Sequence, residues 1–321
     1  MKRILALTLA LMLISGCSSQ PETTTSATES TTAATTESTG AKAEIEVNSE
    51  GIYEIEGVLF SKLYPMEEAS VTKLADKINA VTSEYLTENN KVFVSLIPDK
   101  SWFSDYDEKI DHVKMEEMLK NGIEKGEYIS IADTLSLDDF YMTDGHWRQE
   151  KILDTVNKLG ETMGFALEKS DFEENAILDF EYRGMYAPLY EGETDAEVMY
   201  YLTNEHTENA VVDNFQKKDF TEVYDMAMLE TKTPYDIFLS GPTPFMTIKN
   251  PNAENDRKLV IFRDSFASSL VPMIVGEYSE IALIDLRYMA SQLMPRFVEF
   301  DDQDVLFLYS AAVANNSIML K

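Results

Sequence analysis

The stretch LVIFRDSF, residues 259–266, carries the clearest fold signal in the chain, since a run of bulky apolar side chains passes directly into a polar turn. Apolar residues at helical spacing follow it, namely Leu270, Met273 and Ile274. This pattern predicts a buried strand that leads into a helix. Ser265 would then lie at the strand-to-helix turn, where the free N–H groups at the start of a helix can stabilise an oxyanion.

Short apolar runs of this kind recur along the chain and alternate with helical patterns. Strands are predicted at residues 92–98, 128–132, 235–240, 258–262, 281–286 and 305–309. Helices are predicted at residues 66–86, 107–121 and 147–159. This alternation predicts an α/β fold with a mostly parallel sheet covered on both faces. Active groups in such folds gather at the carboxyl ends of the strands, which here follow Ile97, Tyr141, Leu239, Phe262 and Leu286.

The composition excludes several classes of function. The formal net charge is −30, so the chain should repel nucleic acid and anionic lipid headgroups. It should also repel strongly anionic wall polymers unless basic residues cluster at the site, although acidity is often only a solubility feature. The single cysteine, Cys17, excludes an intramolecular disulfide and Cys-rich metal sites in the folded part.

The first residues have the order of a secretory signal. Lys2 and Arg3 precede an apolar run that ends at Ile14 and is too short to span a bilayer. The segment ISGC, residues 14–17, resembles a bacterial lipobox, in which the cysteine is acylated and becomes the mature N-terminus. We therefore expect an extracytoplasmic protein held at the membrane by a lipid on Cys17. The alternative is an ordinary signal with a chance cysteine after it.

Three parts of the chain follow from these patterns. Residues 1–16 form the predicted signal peptide. Residues 17–47 carry the lipidated cysteine and a Ser/Thr-rich tether, which has too few bulky apolar side chains to fold and is expected to be disordered. Residues 48–321 are long enough for one large α/β catalytic domain.

A second polar motif, TDGHW at residues 143–147, lies between a short apolar segment and the third predicted helix. A serine hydroxyl needs a base to remove its proton, and histidine is the usual base near neutral pH. Of the three histidines, His146 alone has a carboxylate two residues earlier and a tryptophan beside it. Asp144 could hold the imidazole in the right tautomer and stabilise its protonated form. The candidate triad is therefore Ser265, His146 and Asp144.

Each motif also has a purely structural interpretation. Asp264 before Ser265 is a common helix N-cap, and Asp144 could cap the helix at 147–159. His146 could be an ordinary hydrogen-bonded histidine beside a core tryptophan. The triad hypothesis rests on the combination, because both motifs fall at predicted strand ends and supply complementary roles.

The two motifs together resemble the DHHW protein family, which is related to the SGNH-hydrolase-like alginate O-acetyltransferases of the AlgX/AlgJ type. The resemblance covers roughly residues 50–310 and includes LIPDK at 96–100, FLSGP at 238–242, NDRK at 255–258 and IDLRY at 284–288. It implies an SGNH-hydrolase-like three-layer sandwich and carries the catalytic residues over as Asp144, His146 and Ser265. Two departures are Gly145, where the family name has a second histidine, and Arg263, where alginate-type members carry glycine.

Other residues have two interpretations each. Arg287 could steady an anionic intermediate or form a structural ion pair, and Gly241 could place an N–H group near the oxyanion or only make the turn before a proline. Lys100 could line the mouth of the site or cap a strand end. Tyr186 and Tyr190 could stack on sugar, although packing is the simpler role in a chain with sixteen tyrosines.

The resemblance implies an extracytoplasmic O-acyltransferase that modifies a cell-surface polysaccharide through an acyl-serine intermediate. Acetyl is the implied acyl group, a membrane-bound O-acyltransferase the implied donor, and no metal or organic cofactor is implied. A serine esterase with the same triad differs only in the acceptor. A non-catalytic glycan-binding surface lipoprotein also remains possible, whereas a solute-binding lipoprotein predicts two similar lobes that the sequence does not show.

Overall fold

The computed structural model describes residues 45–321. The predictions for residues 1–16, for Cys17 and for most of the tether lie outside the described residues. No helix among the described residues combines the length and the apolarity that a membrane crossing requires.

The elements follow one another in an alternating order. The strands are β1 Ile52–Ile55, β2 Val58–Ser61, β3 Lys91–Ile97, β4 Glu127–Tyr128, β5 Glu173–Tyr182, β6 Glu197–Thr203, β7 Val211–Asn214, β8 Phe245–Lys249, β9 Lys258–Arg263, β10 Glu280–Ile284 and β11 Asp304–Ser310. The helices are α1 Glu68–Tyr85, α2 His112–Gly122, α3 Leu153–Met163, α4 Glu205–Asn209, α5 Ala267–Ile274 and α6 Ala311–Ala314. Short 3₁₀ turns join several of them.

The central sheet has the strand order β4-β3-β11-β9-β10-β8-β7. Its first five strands are parallel, and β8 and β7 extend it antiparallel to β10 and β8. Alternate residues of β9 point to opposite faces: Ile261 belongs to the core under α3 and α5, whereas Val260 and Phe262 belong to the core under α1 and α2. The predicted three-layer sandwich with a mostly parallel sheet is confirmed.

Two small hairpins lie outside the central sheet. One pairs β1 with β2, and the other pairs β5 with β6 through an irregular register between Ile177 and Tyr182. The second hairpin lies between the predicted helix at 147–159 and the predicted strand at 235–240, where the sequence pattern predicts no element. It matters for function because Tyr182 at the end of β5 and Met185 just after it contact Asp144.

Four of the predicted strands, at 92–98, 258–262, 281–286 and 305–309, are confirmed as β3, β9, β10 and β11. The predicted strand at 235–240 is wrong. Residues Pro234–Ile237 form a 3₁₀ turn, and Leu239 and Ser240 both have a φ of 57°. That left-handed backbone cannot continue a strand. Its apolar side chains are buried in a small aromatic cluster, so burial without sheet pairing produced the pattern.

Other boundaries also move. The second helix starts at His112 because the Asp111 side chain accepts a hydrogen bond from the N–H of Lys114 and caps it there. The predicted helix at 147–159 begins only at Leu153, because Trp147 pairs with Phe140 in an isolated bridge and a 3₁₀ turn follows. The predicted strand at 128–132 is only the two-residue β4.

Candidate catalytic site

The structure brings the three candidate residues together at the carboxyl ends of the parallel strands. Ser265 lies two residues after β9, and its Oγ is 2.7 Å from Nε2 of His146. The other ring nitrogen, Nδ1, is 2.7 Å from Oδ1 of Asp144. Since Ser265 and His146 are 119 residues apart, the contact depends on the fold. A serine, an imidazole and a carboxylate in this order form a proton relay in which the carboxylate orients the base.

Every acceptor position of Asp144 is used, and its residue is only 2 % exposed. Oδ1 accepts from Nδ1 and from the backbone N–H of His146, while Oδ2 accepts from the hydroxyl of Tyr182 and the N–H of Met185. Burial alone would raise the pKa of this carboxyl, but the His146 charge and these hydrogen bonds outweigh it and hold the pKa well below its usual value. Asp144 is therefore a carboxylate, and it does not cap the following helix.

The loop that carries Asp144 is fixed from below by Lys100. This lysine is 1 % exposed, and its ammonium donates to the backbone carbonyls of Tyr141, Met142 and Asp144 at 2.9, 3.1 and 2.6 Å. Burial lowers the pKa of Lys100 to about 8. Lys100 therefore neither lines the mouth nor caps a strand end, because its ammonium is fully engaged in holding the loop that carries Asp144.

Glu197 holds the same loop from the side of the β5–β6 hairpin. Its carboxylate accepts from the N–H groups of Met142 and Thr143 at 2.9 and 3.2 Å and is nearly buried. The loop is thus held by the Lys100 ammonium, which donates to its carbonyls, and by the Glu197 carboxylate, which accepts from its N–H groups. Charge-assisted hydrogen bonds of this kind are shorter and stronger than neutral ones, so they pre-organise Asp144 and His146.

The imidazole of His146 lies against two aromatic rings. Tyr235 stacks on it at a centroid distance of 3.9 Å and an interplanar angle of 11°, and Phe266 packs at 4.9 Å. The Tyr235 hydroxyl meets Oγ of Ser269 at 2.7 Å, and Trp147 Nε1 donates to the same oxygen at 2.9 Å. Trp147 is therefore a brace between the histidine loop and α5, as well as a core residue.

The turn that presents Ser265 is held by Asp264. Its Oδ1 accepts from the N–H of Phe266 at 3.1 Å and its Oδ2 from the N–H of Ser310 at 2.7 Å, so it ties β9 to the end of β11. The expected N-cap of α5 is therefore wrong, because that helix begins at Ala267 without a side-chain cap. The N–H of Ser265 makes no hydrogen bond within residues 45–321 and remains available to a developing oxyanion.

Arg287 forms a structural ion pair and also lies at the candidate site. Its Nε and Nη2 grip the fully buried Asp285 at 2.9 and 2.7 Å, while its Nη1 has no partner in the described part of the chain. The side chain also lines the space in front of Ser265. Gly241 is the weaker oxyanion candidate, because its N–H already donates to the carbonyl of Phe238 at 3.3 Å.

Arg263 is fully buried under the turn that carries Ser265. Its guanidinium donates to Ser268 at 2.8 Å, to the Asp264 carbonyl at 3.3 Å and to the Gly241 carbonyl at 3.4 Å. The Arg263 side chain thus supports the turn, and the Ser265 N–H beyond it has no partner among the described residues.

The other candidates lie elsewhere or pack. His112 is buried beside Glu116, and His206 contacts Asn250. Tyr190 donates to Glu54, whereas Tyr186 packs over Gly145 and lines the space next to Ser265. The sequence pattern did not identify Glu197, Tyr182 or Tyr235 as site residues, because each reaches the site from a distant part of the chain. Within residues 45–321 no group of three or more His, Cys, Asp or Glu side chains could hold a metal ion.

Two clefts meet at the site. Both are lined by His146, Met185, Ser265 and Arg287. The first, here called the Lys232 cleft, adds Lys232, Thr233, Tyr235, Asp236 and Tyr288 and has a volume of about 230 Å³. The second, here called the Val313 cleft, adds Leu63, Phe266, Ala312, Val313 and Met319 and has a volume of about 390 Å³. Ser265 is thus accessible from two sides.

Comparison with known proteins supports the fold. No protein-family model matches the chain, and no curated protein sequence matches it. A DHHW family protein from Eubacterium siraeum is similar in structure, with a TM-score of 0.68, 18 % identity, and coverage of 86 % of this chain and 98 % of that chain. PatB1 of Bacillus cereus, in a structure with a sulfonyl adduct, gives a TM-score of 0.69, 15 % identity, and coverage of 86 % and 99 %.

The O-acetyltransferase domain of Pseudomonas putida AlgJ matches more weakly, with a TM-score of 0.49, 8 % identity, and coverage of 83 % and 92 %. The predicted likeness to a DHHW family protein is therefore confirmed at the level of the fold.

Proposed function

We propose that this chain is a serine-dependent O-acyltransferase that moves an acyl group, in the first instance acetyl, onto a hydroxyl of a cell-surface polysaccharide. The observation that carries the proposal is the relay in which Ser265 Oγ, His146 and Asp144 are joined by two contacts of 2.7 Å. A structural histidine would not need a buried carboxylate on one nitrogen and a solvent-accessible serine hydroxyl on the other.

The first half-reaction forms an acyl-enzyme. Ser265 Oγ attacks the acyl carbonyl while His146 Nε2 takes the hydroxyl proton, and Asp144 stabilises the resulting imidazolium. The carbonyl oxygen becomes an oxyanion, for which we assign the Ser265 N–H and Nη1 of Arg287 as donors, since neither has a hydrogen-bond partner among residues 45–321. Collapse of this intermediate breaks the bond to the leaving oxygen, which takes the proton from His146.

The second half-reaction reverses these roles. A sugar hydroxyl gives its proton to His146 Nε2 and attacks the acyl carbon, and Ser265 then leaves with that proton. No group other than the donor ester and the acceptor alcohol is consumed.

The location of the reaction is part of the proposal. A lipid on Cys17 and the Ser/Thr-rich stretch after it would hold the domain outside the cell, within reach of the membrane. A membrane-bound O-acyltransferase would supply the acyl donor there, because an extracytoplasmic enzyme has no soluble pool of activated acyl groups. The anchor rests on the residue pattern around Cys17, and this partner rests on the family resemblance.

The decisive experiment measures hydrolysis of a chromogenic acetyl ester by the full chain in mild detergent. Ser265→Ala and His146→Ala should abolish the activity and prevent acetylation of the protein in intact mass spectra. Ser83→Ala and His206→Ala are matched controls outside the site and should leave both unchanged. Equal slow hydrolysis by all five proteins would exclude a serine enzyme and leave a glycan-binding lipoprotein.

A second measurement separates transfer from hydrolysis. Oligosaccharide acceptors are added to the reaction, and acetylated sugar is measured against free acetate by mass spectrometry. Acetylated sugar whose yield rises with acceptor concentration supports the transferase. Acetate as the sole product over the whole panel would instead make the chain an esterase.

A further inference from the structure

The segment that follows β5 runs along the loop that carries Asp144. The N–H of Gly184 donates to Oγ1 of Thr143 at 2.8 Å, and the N–H of Tyr186 donates to the carbonyl of the same threonine at 3.0 Å. Between them, the N–H of Met185 donates to the carboxylate of Asp144 at 2.9 Å. The backbone of Tyr186 is therefore held against the catalytic loop.

The Tyr186 side chain ends beside Gly145, the residue between Asp144 and His146. A Cβ atom on Gly145 would lie 2.4 Å from the Tyr186 hydroxyl oxygen and 3.1 Å from Cζ of the same ring. The Lys100 ammonium lies 5.3 Å from the centroid of that ring. Any side chain at position 145 would displace the hydroxyl, so the glycine leaves the space that the hydroxyl occupies.

The hydroxyl of Tyr186 makes no hydrogen bond within residues 45–321. By contrast, the hydroxyl of Tyr182 donates to the triad carboxylate. Tyr186 is half-buried, and its hydroxyl is not enclosed by protein as the unpaired hydroxyl of Tyr141 is. Because the Tyr186 side chain lines the Val313 cleft together with Ser265, this donor opens into the space next to the serine.

The Tyr186 hydroxyl keeps its proton near neutral pH. Burial, together with the negative charges of Asp99 and Asp144, raises the pKa of Tyr186 well above its usual value. A ligand that fills the cleft removes water from this donor, which costs free energy unless the ligand supplies an acceptor. Esters and sugars both offer oxygen atoms as acceptors.

We propose that Tyr186 is a substrate-binding residue whose hydroxyl donates a hydrogen bond to an oxygen atom of the acyl donor or of the sugar acceptor in the Val313 cleft. This inference rests on the proposed function and adds a specificity-determining residue to it. Gly145 supports the same role, because it leaves room for the hydroxyl beside the catalytic loop.

The test compares Tyr186→Phe with the unaltered full chain in two reactions, hydrolysis of a chromogenic acetyl ester and acetyl transfer from that ester to an oligosaccharide. Loss of one neutral hydrogen bond to substrate should raise a KM by about three- to tenfold and leave kcat within about twofold. A higher KM for the ester assigns the contact to the acyl donor, and a higher KM for the oligosaccharide alone assigns it to the acceptor.

Two controls separate this role from a structural one. The midpoint of urea unfolding of Tyr186→Phe should match that of the unaltered protein, because the hydroxyl has no partner in the described part of the chain. Tyr190→Phe makes the same chemical change outside both clefts, where the hydroxyl donates to Glu54, and should alter neither KM.

Gly145→Ala places a methyl group at the position of the hydroxyl and completes a double-mutant cycle. It should raise the same KM as Tyr186→Phe does, and the two substitutions together should raise that KM no further. Unchanged KM values for Tyr186→Phe in every Ser265-dependent reaction, or fully additive effects of the two substitutions, would overturn the inference and leave the proposed function intact. Absence of Ser265-dependent turnover for every ester would overturn both.

Discussion

Replacing Asp144 by asparagine changes one oxygen to an NH₂ group in a pocket where every neighbour donates. If the amide oxygen keeps the Oδ1 position, the NH₂ group faces the N–H of Met185, which is 2.9 Å from Oδ2 in the structure. If the amide is flipped, the NH₂ group faces the backbone N–H of His146, which lies 3.0 Å from Oδ1. Both orientations therefore create a donor–donor conflict inside a buried site.

The flipped orientation also reverses the tautomer of His146. An NH₂ group at the Oδ1 position requires Nδ1 to accept, so the ring proton moves to Nε2, which then cannot take the proton of Ser265. The loss of a correct tautomer and of the negative charge should lower kcat by roughly 10³–10⁴-fold. One unmade hydrogen bond in a buried site should cost about 1–3 kcal/mol of unfolding free energy.

The assay is ester hydrolysis together with thermal or urea unfolding of Asp144→Asn. Asp154→Asn, which makes the same chemical change at an exposed position of α3, is the control and should match the unaltered protein in both measurements. An Asp144→Asn protein that retains more than a tenth of kcat would refute the assigned role of the carboxylate. A large loss of stability with full activity would show that Asp144 only braces the loop.

Three further predictions follow from contacts around the triad. Lys100→Met removes the ammonium from three buried carbonyls and should lower the unfolding free energy at pH 7 by about 2–4 kcal/mol. Because burial lowers the pKa of Lys100 to about 8, the unfolded chain binds one more proton than the folded chain above that pH, and the unaltered protein should gain up to about 3 kcal/mol relative to the variant between about pH 8 and 10.5. Urea unfolding at a series of pH values measures this difference, and a difference that stays constant with pH would contradict the burial argument. Tyr235→Phe keeps the aromatic ring on His146 and should hold kcat within about threefold of the unaltered protein. Tyr235→Leu removes the stacked ring and should lower kcat by roughly 10–30-fold, an effect of about 1.4–2 kcal/mol. Equal kcat values for the two variants would show that the ring does not orient the imidazole. Arg287→Lys keeps the positive charge but loses the two hydrogen bonds to Asp285 and the Nη1 donor. The kcat for ester hydrolysis should therefore fall by about 10²-fold while KM changes little. An unchanged kcat would show that Arg287 does not stabilise the oxyanion.

The central sheet and its two covering layers could be predicted from the sequence because strands buried on both faces are continuous apolar runs. The runs that became β3, β9, β10 and β11 pair with one another in the middle of the sheet, so their pattern and their structure agree. The prediction failed at 235–240, where an equally apolar run is buried by aromatic packing in a non-strand backbone. Apolar patterning reports burial, and it cannot tell a strand from a buried loop.

The candidate triad was predictable for a related reason. Ser265 and the Asp144–His146 pair each sit in a short polar motif beside a strong apolar element, and parallel strands bring their carboxyl ends to one edge. The two-residue spacing between Asp144 and His146 lets the carboxylate reach both the backbone and the ring of the histidine, so that part of the geometry is local.

The surroundings of the triad depend on tertiary structure alone. Lys100, Glu197 and Tyr235 approach the loop from sequence distances that no local pattern records, and their roles arise because the fold buries them beside groups that need their charge, their hydrogen bonds or their ring. The sequence by itself therefore determined the layers and the chemical groups of the site. The tertiary structure decided how those groups are oriented, since burial and pairing are properties of the packed chain.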